Sequence, residues 1–196
     1  MGNAEVAKKE IDLTPRQIEA FQRRLAERIQ GEVHFDTLYR GLYATDASNY
    51  QIMPLGVVLP KDRDDVVETV RLCHEYGMII TPRGGGTALS GQAVGRGIIL
   101  DVSKYMKQVR EIDTDGKWAW VEPGVVLDEL NAVLAPDGLW FAPDVATSSR
   151  ATIGGMVANN SAGAHSLLFG MTIDHVLELE VVLSDGSLVH LTPVEE

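Results

Sequence analysis

Residues 82–92 read Pro82-Arg83-Gly84-Gly85-Gly86-Thr87-Ala88-Leu89-Ser90-Gly91-Gln92. Three successive residues without Cβ allow a sharp turn that points several main-chain N–H groups at one oxygen-rich ligand. A phosphate is cradled in that way, and each N–H bond to its charge can be worth roughly 1.5–3 kcal/mol. Between Tyr76 and Leu100 the sequence carries two arginines, Arg83 and Arg96, and no acidic residue, so the window is locally positive. The alternative for a glycine triplet is a tight turn with nothing bound.

Two familiar phosphate motifs fail here. The dinucleotide fingerprint counted from Gly84 needs a sixth-position glycine and meets Leu89. It also needs a following helix, and the stretch from Gly91 to Gly97 is too short for a crossover helix. Asp101 therefore only mimics the ribose-binding acid. Gly86 and Gly91 have the spacing of a nucleoside triphosphate loop, but Gln92 replaces its lysine and Ala93 its hydroxyl. Phosphoryl transfer lacks both the charge and the magnesium ligand that it needs.

A second segment, from Pro143 and Asp144 through Ser148, Arg150, Thr152, Gly154, Gly155, Asn159, Asn160, Ser161 and Ala162 to Gly163, gathers hydroxyls, two adjacent amides and three glycines with one acid and one base. It offers neutral hydrogen bonds and close backbone approach to a long polar ligand. A small-residue helix packed on a sheet would explain Gly154, Gly155 and Ala158 but not the amides. Of the five histidines, His165 alone lies near this segment and is a candidate to line a ligand pocket. His34, His74 and His190 read as structural, as do Trp118, Trp120 and Trp140, at positions of alternating burial.

The elements that position these loops are legible from periodicity. Thr14-Pro15-Arg16-Gln17 combines an N-cap, a first-turn proline and a capping-box glutamine. Ile18, Phe21, Leu25 and Ile29 then mark one face of a helix that Gly31 can end. Residues 55–59, a helix over 62–77 with Val66, Val67, Val70 and Cys73 on one face, and residues 78–81 form a strand–helix–strand unit, predicting parallel strands. From Gly97 onward the pattern reads antiparallel: strands at 97–102, 108–112 and 118–122, with Asp115-Gly116 as a hairpin turn. A helix around Val126 to Leu134 and a hairpin, 177–183 with 188–191, follow. The prediction is an α+β fold of two subdomains, a small parallel βαβ part followed by a mainly antiparallel sheet with helices. Residues 1–42 are read as lead-in and helix, and 43–196 as the ligand-binding domain.

Seventeen Lys plus Arg against twenty-eight Asp plus Glu give 196 residues a formal charge of −11. This disfavours nucleic acid and anionic membranes as partners. One cysteine, Cys73, excludes an internal disulfide framework and any multi-thiolate metal site. No apolar stretch has the length of a signal peptide core or a membrane span, so a cytoplasmic location is expected.

Taken together, both glycine segments resemble the flavin-binding domain of the vanillyl-alcohol-oxidase type, as in FAD-linked dehydrogenases of D-2-hydroxy acids such as D-lactate, glycolate and D-2-hydroxyglutarate. The resemblance covers roughly Tyr43 to Thr192. It rests on Ala44-Thr45-Asp46-Ala47-Ser48, Val57-Val58-Leu59-Pro60, the first glycine loop, Val121-Glu122-Pro123-Gly124, Phe141-Ala142-Pro143-Asp144, Thr152-Ile153-Gly154-Gly155, Asn159-Asn160-Ser161-Ala162-Gly163 and Asp174-His175-Val176. The stretch from Thr45 to Pro54 is most similar to long bacterial members that carry an iron-sulfur region.

The resemblance implies that the backbone of Arg83, Gly84, Gly85, Gly86 and Thr87, with Ser90, Gly91 and Gln92, holds the FAD pyrophosphate. It implies that Pro143, Asp144, Ser148, Thr152, Gly154 and Gly155 line the ribityl and isoalloxazine side. Asn159, Asn160, Ser161, Ala162 and Gly163 add contacts along the cofactor, and the Val176 backbone meets the adenine end, near His175. Thr87 stands where some relatives attach flavin through histidine, so FAD is expected to be non-covalent. The implied reaction is hydride transfer from a small hydroxy acid to FAD, with an iron-sulfur centre or quinone as acceptor and a cap domain to bind substrate. No catalytic residue and no metal ligand is assigned on this sequence. A non-catalytic flavin-binding module and a nucleotide binder with a degenerate loop are the alternatives.

Overall fold

The structure, a computed structural model, describes residues 13–193. The lead-in expected over residues 1–12 lies outside them. Helix α1 (Pro15–Arg28) begins as its capping box requires: Thr14 accepts from the Gln17 N–H, and the Gln17 side chain accepts from Thr14. Strand β1 (Glu32–His34), helix α2 (Thr37–Leu42), strand β2 (Gly56–Leu59), helix α3 (Arg63–Tyr76), strand β3 (Ile80–Arg83) and strand β4 (Ile98–Asp101) complete the first half. Asp62 caps α3, and Gly77, in the left-handed region, ends it.

The four strands form one sheet in the order β1-β2-β4-β3. β2 and β3 are parallel to β4 on either side of it, and β1 adds antiparallel to β2. The sequence places β4 in an antiparallel half, and here the structure differs. The strand inserts between the two halves of the βαβ unit, pairing Ile80 with Ile98 and Arg83 with Asp101. A parallel neighbour needs a connection of about a dozen residues or more, but not a helix. Residues 84–97, the first glycine loop and its return, supply that connection as irregular chain.

Alternation along the strands divides the sheet into two faces. Val58, Ile98 and Leu100 pack with Phe21, Leu25, Ile29, Leu72 and Cys73 of α1 and α3. Val57, Leu59 and Ile99 face a layer of Tyr39, Tyr43 and Tyr105. Helix α1 is thus part of the first core, with Phe21 and Leu25 fully buried. Gly31 does not stop α1 by a left-handed turn: the C-cap is Ile29, and a Cβ on Gly31 would overlap the Leu59 carbonyl oxygen. Gly31 lets the chain enter β1 flat against β2.

The second half is antiparallel. Strands β5 (Val109–Asp113) and β6 (Trp118–Val121) form one hairpin. Its left-handed residue is Lys117, at φ 56°, and not the glycine of the Asp115-Gly116 pair. Helix α4 (Leu127–Leu134) and the short helix α5 (Ile153–Asn159) cover this hairpin, burying Val125, Leu127, Leu130, Ile153 and Met156 against Val109, Ile112, Ala119 and Val121. Helix α6 (Ser166–Phe169) follows, then strands β7 (Leu179–Val182) and β8 (Leu188–Leu191) as a separate hairpin. This last hairpin leans on α3, where Arg63 pairs with Glu180 at 3.2 Å. Trp118 and Trp120 are half-buried on β6, but Trp140, expected in the core, is 60% exposed, edge-on to Phe169. Its neighbours Leu139 and Phe141 take the places against the second core, which leaves Trp140 between them on the outer side.

Candidate cofactor site

The first glycine loop leaves the C-terminal end of β3, where ligands of parallel sheets commonly bind. Among the described residues, none of the N–H groups of residues 84–89 donates to another protein group. In a folded chain most main-chain donors that are shielded from water find a partner, so a run of six open donors in a fixed loop is a feature to be explained. Six adjacent donors next to missing side chains suit an anion with many oxygens.

The loop is docked on the second segment. A Cβ on Gly84 would overlap Thr152 Oγ1, and one on Gly85 would overlap the Arg150 carbonyl oxygen. The glycines therefore serve contact between the two segments as well as the turn. Thr152, buried, is the N-cap of α5 and accepts from the Gly155 N–H at 3.3 Å. Gly154 lies flat on Pro123, its would-be Cβ 2.5 Å from the Pro123 Cβ. The small-residue helix considered for this segment is present, and its glycines explain the packing. The amides lie at its far end: Asn160 takes the left-handed cap position at φ 43°, and Asn159 accepts from Gln92 at 3.3 Å. Gln92 also accepts from the Ser90 N–H at 3.1 Å, which closes the first loop on itself.

The other expected residues are placed by contacts of their own. Gly163 packs on Asp144, whose carboxylate accepts both the main-chain N–H (3.1 Å) and the ring Nδ1 of His165. That pairing holds the Asp144 carboxyl below the usual carboxylate range. Ser148 turns its carbonyl to the Asp128 N–H at the start of α4, at 3.2 Å. The Ser161 carbonyl accepts from the Thr172 N–H and hydroxyl at 3.0 and 2.8 Å. Asn160 Oδ1 accepts from the Ile173 N–H at 2.9 Å, and Val157, Asn160, Ile173, Val176 and Leu179 line an apolar cavity of about 170 Å³. The ring of His175 reaches the Phe169 carbonyl at 2.7 Å, fixing the turn before Val176. Gly91 and Ala162 lie at the surface of the two loops. Pro143 is buried behind Asp144.

Residues without a role assigned from the sequence also build the site. Tyr43 and the segment 44–50 form its outer wall: Ala47 N–H donates to the Gly86 carbonyl at 3.0 Å, and Tyr50 Cδ2 would lie 2.7 Å from a Cβ on Gly91. Asp46 accepts from the Ser48 N–H at 2.8 Å and the Ala93 N–H at 3.3 Å. The motif Ala44 to Ser48 was visible, but nothing in its spacing shows that it touches the glycine loop. Histidines 34, 74 and 190 lie away from the two loops; His34 bonds Glu32 and stacks on Tyr39, and His190 pairs with Glu178. No group of three or more His, Cys, Asp or Glu side chains suited to a metal occurs among the described residues.

Two small-residue loops, one with open N–H donors, meet beyond the end of a parallel strand, an arrangement suited to a phosphate-bearing ligand. The chain belongs to the FAD binding domain family, whose model matches residues 54–192, and its cofactor is FAD. It is 42% identical over 170 residues to a D-2-hydroxyglutarate dehydrogenase of Pseudomonas putida, covering 85% of this chain and 17% of that protein. It is 35% identical over 166 residues to glycolate oxidase subunit GlcD of Bacillus subtilis, covering 83% of this chain and 35% of the relative. The chain thus spans a minor part of these relatives' length. The fold matches p-cresol methylhydroxylase with a TM-score of 0.80 at 20% identity, over 91% of this chain and 36% of the other. Alkyldihydroxyacetonephosphate synthase matches with a TM-score of 0.78 at 24% identity, over 90% of this chain and 38% of the other. These neighbours are alike in fold, and the α+β architecture is theirs.

Proposed function

We propose that this chain is the FAD domain of a protein that oxidises a small D-2-hydroxy acid. The observation that carries the reading is the cradle of open N–H groups at 84–89, closed by Thr152 and Arg150, in a chain so similar to relatives named for 2-hydroxy acids. FAD when bound supplies a two-electron acceptor for the hydride of the substrate α-carbon. The residues of this chain bind and orient it. The backbone of Arg83 to Thr87 with Ser90, Gly91 and Gln92 takes the pyrophosphate. Pro143, Asp144, Ser148, Thr152, Gly154 and Gly155 line the flavin side, Asn159 to Gly163 run along the cofactor, and the Val176 cavity takes the adenine end. Thr87 offers no nucleophile of the kind that tethers flavin, so the cofactor is held non-covalently.

The base and the cation for the substrate carboxylate are placed, in this reading, in the greater part of the relatives' length that this chain does not match. The acceptor is an iron-sulfur centre or quinone, and the protein works in the cytoplasm. No helix among the described residues is long and apolar enough to cross a membrane.

The test has two stages. Purified chain mixed with FAD and desalted is expected to retain flavin absorbance, and acid precipitation is expected to release all of it. The whole protein is then given D-2-hydroxyglutarate, D-lactate or glycolate, and bleaching of the flavin by one of them is expected. A yellow protein that none of these reduces would be a flavin-binding module. A colourless protein that binds ATP would overturn the assignment.

A further inference from the structure

We propose that Arg83 is a positioning residue of the FAD site that works from behind the glycine loop, while main-chain N–H groups meet the negative charge of the phosphates. The inference rests on FAD as the ligand of this loop. Arg83 closes β3, and its position invites a simpler role as a cation aimed at phosphate. The side chain is turned elsewhere. Its Nη1 donates to the Thr45 carbonyl at 2.9 Å and the Ala93 carbonyl at 3.1 Å. The Tyr43 ring covers one face of the guanidinium, 5.1 Å from Cζ to centroid. Against it lies the α-carbon of Gly86, where a Cβ would come within 2.7 Å of Nη2. Gly86 is also at φ 66°, so a side chain there would be excluded by contact and by conformation alike.

These partners come from three stretches of the site. Thr45 is on the outer wall, Ala93 on the return of the loop, and Gly86 at its tip. Tyr43 is fixed in turn by its hydroxyl, which donates to the buried Asp101 at 2.6 Å, and Asp101 is the residue opposite Arg83 in the β3–β4 register. The same three stretches are tied by Ala47 N–H to Gly86 and by Ala93 N–H to Asp46. One nitrogen of the guanidinium, Nη1, thus bridges two carbonyls, while its flat face fills the space between the Tyr43 ring and Gly86. A lysine ammonium has the charge and donors for two carbonyls but not the flat face that fits between ring and glycine.

The two roles separate by charge retention and salt. FAD dissociation constants are measured at 50 and 300 mM KCl for the wild-type chain, Arg83→Lys and Arg83→Met, alongside amide exchange at Ala47 in the flavin-free proteins. A strut predicts that both variants lose about tenfold or more in affinity, that lysine does no better than methionine, and that the salt dependence stays that of the wild type. It also predicts faster exchange at the Ala47 N–H in both variants. Recovery by lysine to within about threefold of wild type overturns the proposal, and so does a salt dependence flattened by methionine. If Arg83→Met does not fold, Arg83→Lys decides by the same two criteria. If no protein retains FAD, the cofactor reading fails by itself, and unchanged Ala47 exchange in Arg83→Lys still overturns the strut.

Discussion

Gly84 and Thr152 touch across the two loops, and the missing Cβ of the one is filled by the hydroxyl of the other. The same is true of Gly85 and the Arg150 carbonyl. From sequence, Gly85→Val is expected to abolish FAD binding by placing a side chain where the pyrophosphate approaches, with folding intact. The structure changes the reason: new atoms at Gly85 meet the Arg150 backbone, which cannot rotate away, and a Cβ at Gly84 meets the buried Thr152 hydroxyl, which is engaged in capping α5. Gly85→Val and Gly84→Ala are therefore expected to lower stability in the flavin-free protein as well, by roughly 1–3 kcal/mol as for other overpacked sites. Urea midpoints without FAD check this; unchanged midpoints with lost flavin would restore the original explanation.

Glu32 gives the pH prediction. Hydrogen bonds from Lys104, Tyr105 and His34 bring its carboxyl down to about 2. The unfolded group titrates near about 4.3. The folded state thus binds fewer protons across that interval, so the stabilisation is complete above about pH 5 and is lost as pH falls toward 2. Glu32→Gln is expected to destabilise the chain at pH 7 and to make little difference near pH 2. Denaturation midpoints of both proteins across this range test it, and parallel pH curves would contradict it. The group is partly exposed, so solvent screening keeps the gain small.

Cys73 is 1% exposed, and burial pushes its thiol up to about 12. It should resist a thiol-specific reagent at pH 8 until the chain is denatured. Cys73→Ser should keep FAD binding, since the residue packs with Phe21, Leu25 and Leu72 away from both loops. Rapid labelling of native protein, or flavin lost from a folded serine variant, would count against this placement.

Leu25→Ala is expected to cost about 2–5 kcal/mol, the usual range for a fully buried leucine. The measurement is again the urea midpoint. A cost below about 1 kcal/mol would mean that α1 adds little to the core of the first half, against the burial of Leu25 between α1, α3 and the sheet.

What could be read from sequence follows range of interaction. Local signals located α1, α3, both hairpins and the two glycine loops, because capping residues, alternation and turn residues act over a few positions. The place of β4 was not legible, since Ile98, Ile99 and Leu100 are apolar without alternation and give no sign of the strand's neighbours. The span from Gly91 to Gly97 is too short for a crossover helix and the Asp115-Gly116 hairpin follows, so the strand at 97–102 reads as part of the antiparallel half; a parallel crossover made of loop satisfies the same spacing. Contacts join several of the expected cofactor residues, Gly84 with Thr152, Gln92 with Asn159 and Gly163 with Asp144, and the first two of these pairs lie more than 60 residues apart in sequence. Asp101 stood out in sequence only as a mimic of a ribose-binding acid and Tyr43 not at all as a partner for it; their hydrogen bond exists only once the end of α2 packs on β2 and β4.

The loop at 84–97 serves two masters: it carries the chain from β3 over into β4, and it presents the open donors. Its length is accordingly pinned at both ends by the register of the sheet. An inserted residue there would displace the donors or slip the pairing, whereas the hairpin tip at 114–117 touches only its own hairpin, and the tip at 184–187 is held where Gly186 lies against Arg71 of α3. Among natural variants of this domain, insertions and deletions should therefore crowd into the 114–117 tip and spare the crossover, so that a constant crossover length marks a working cofactor site alongside the glycines at 84–86.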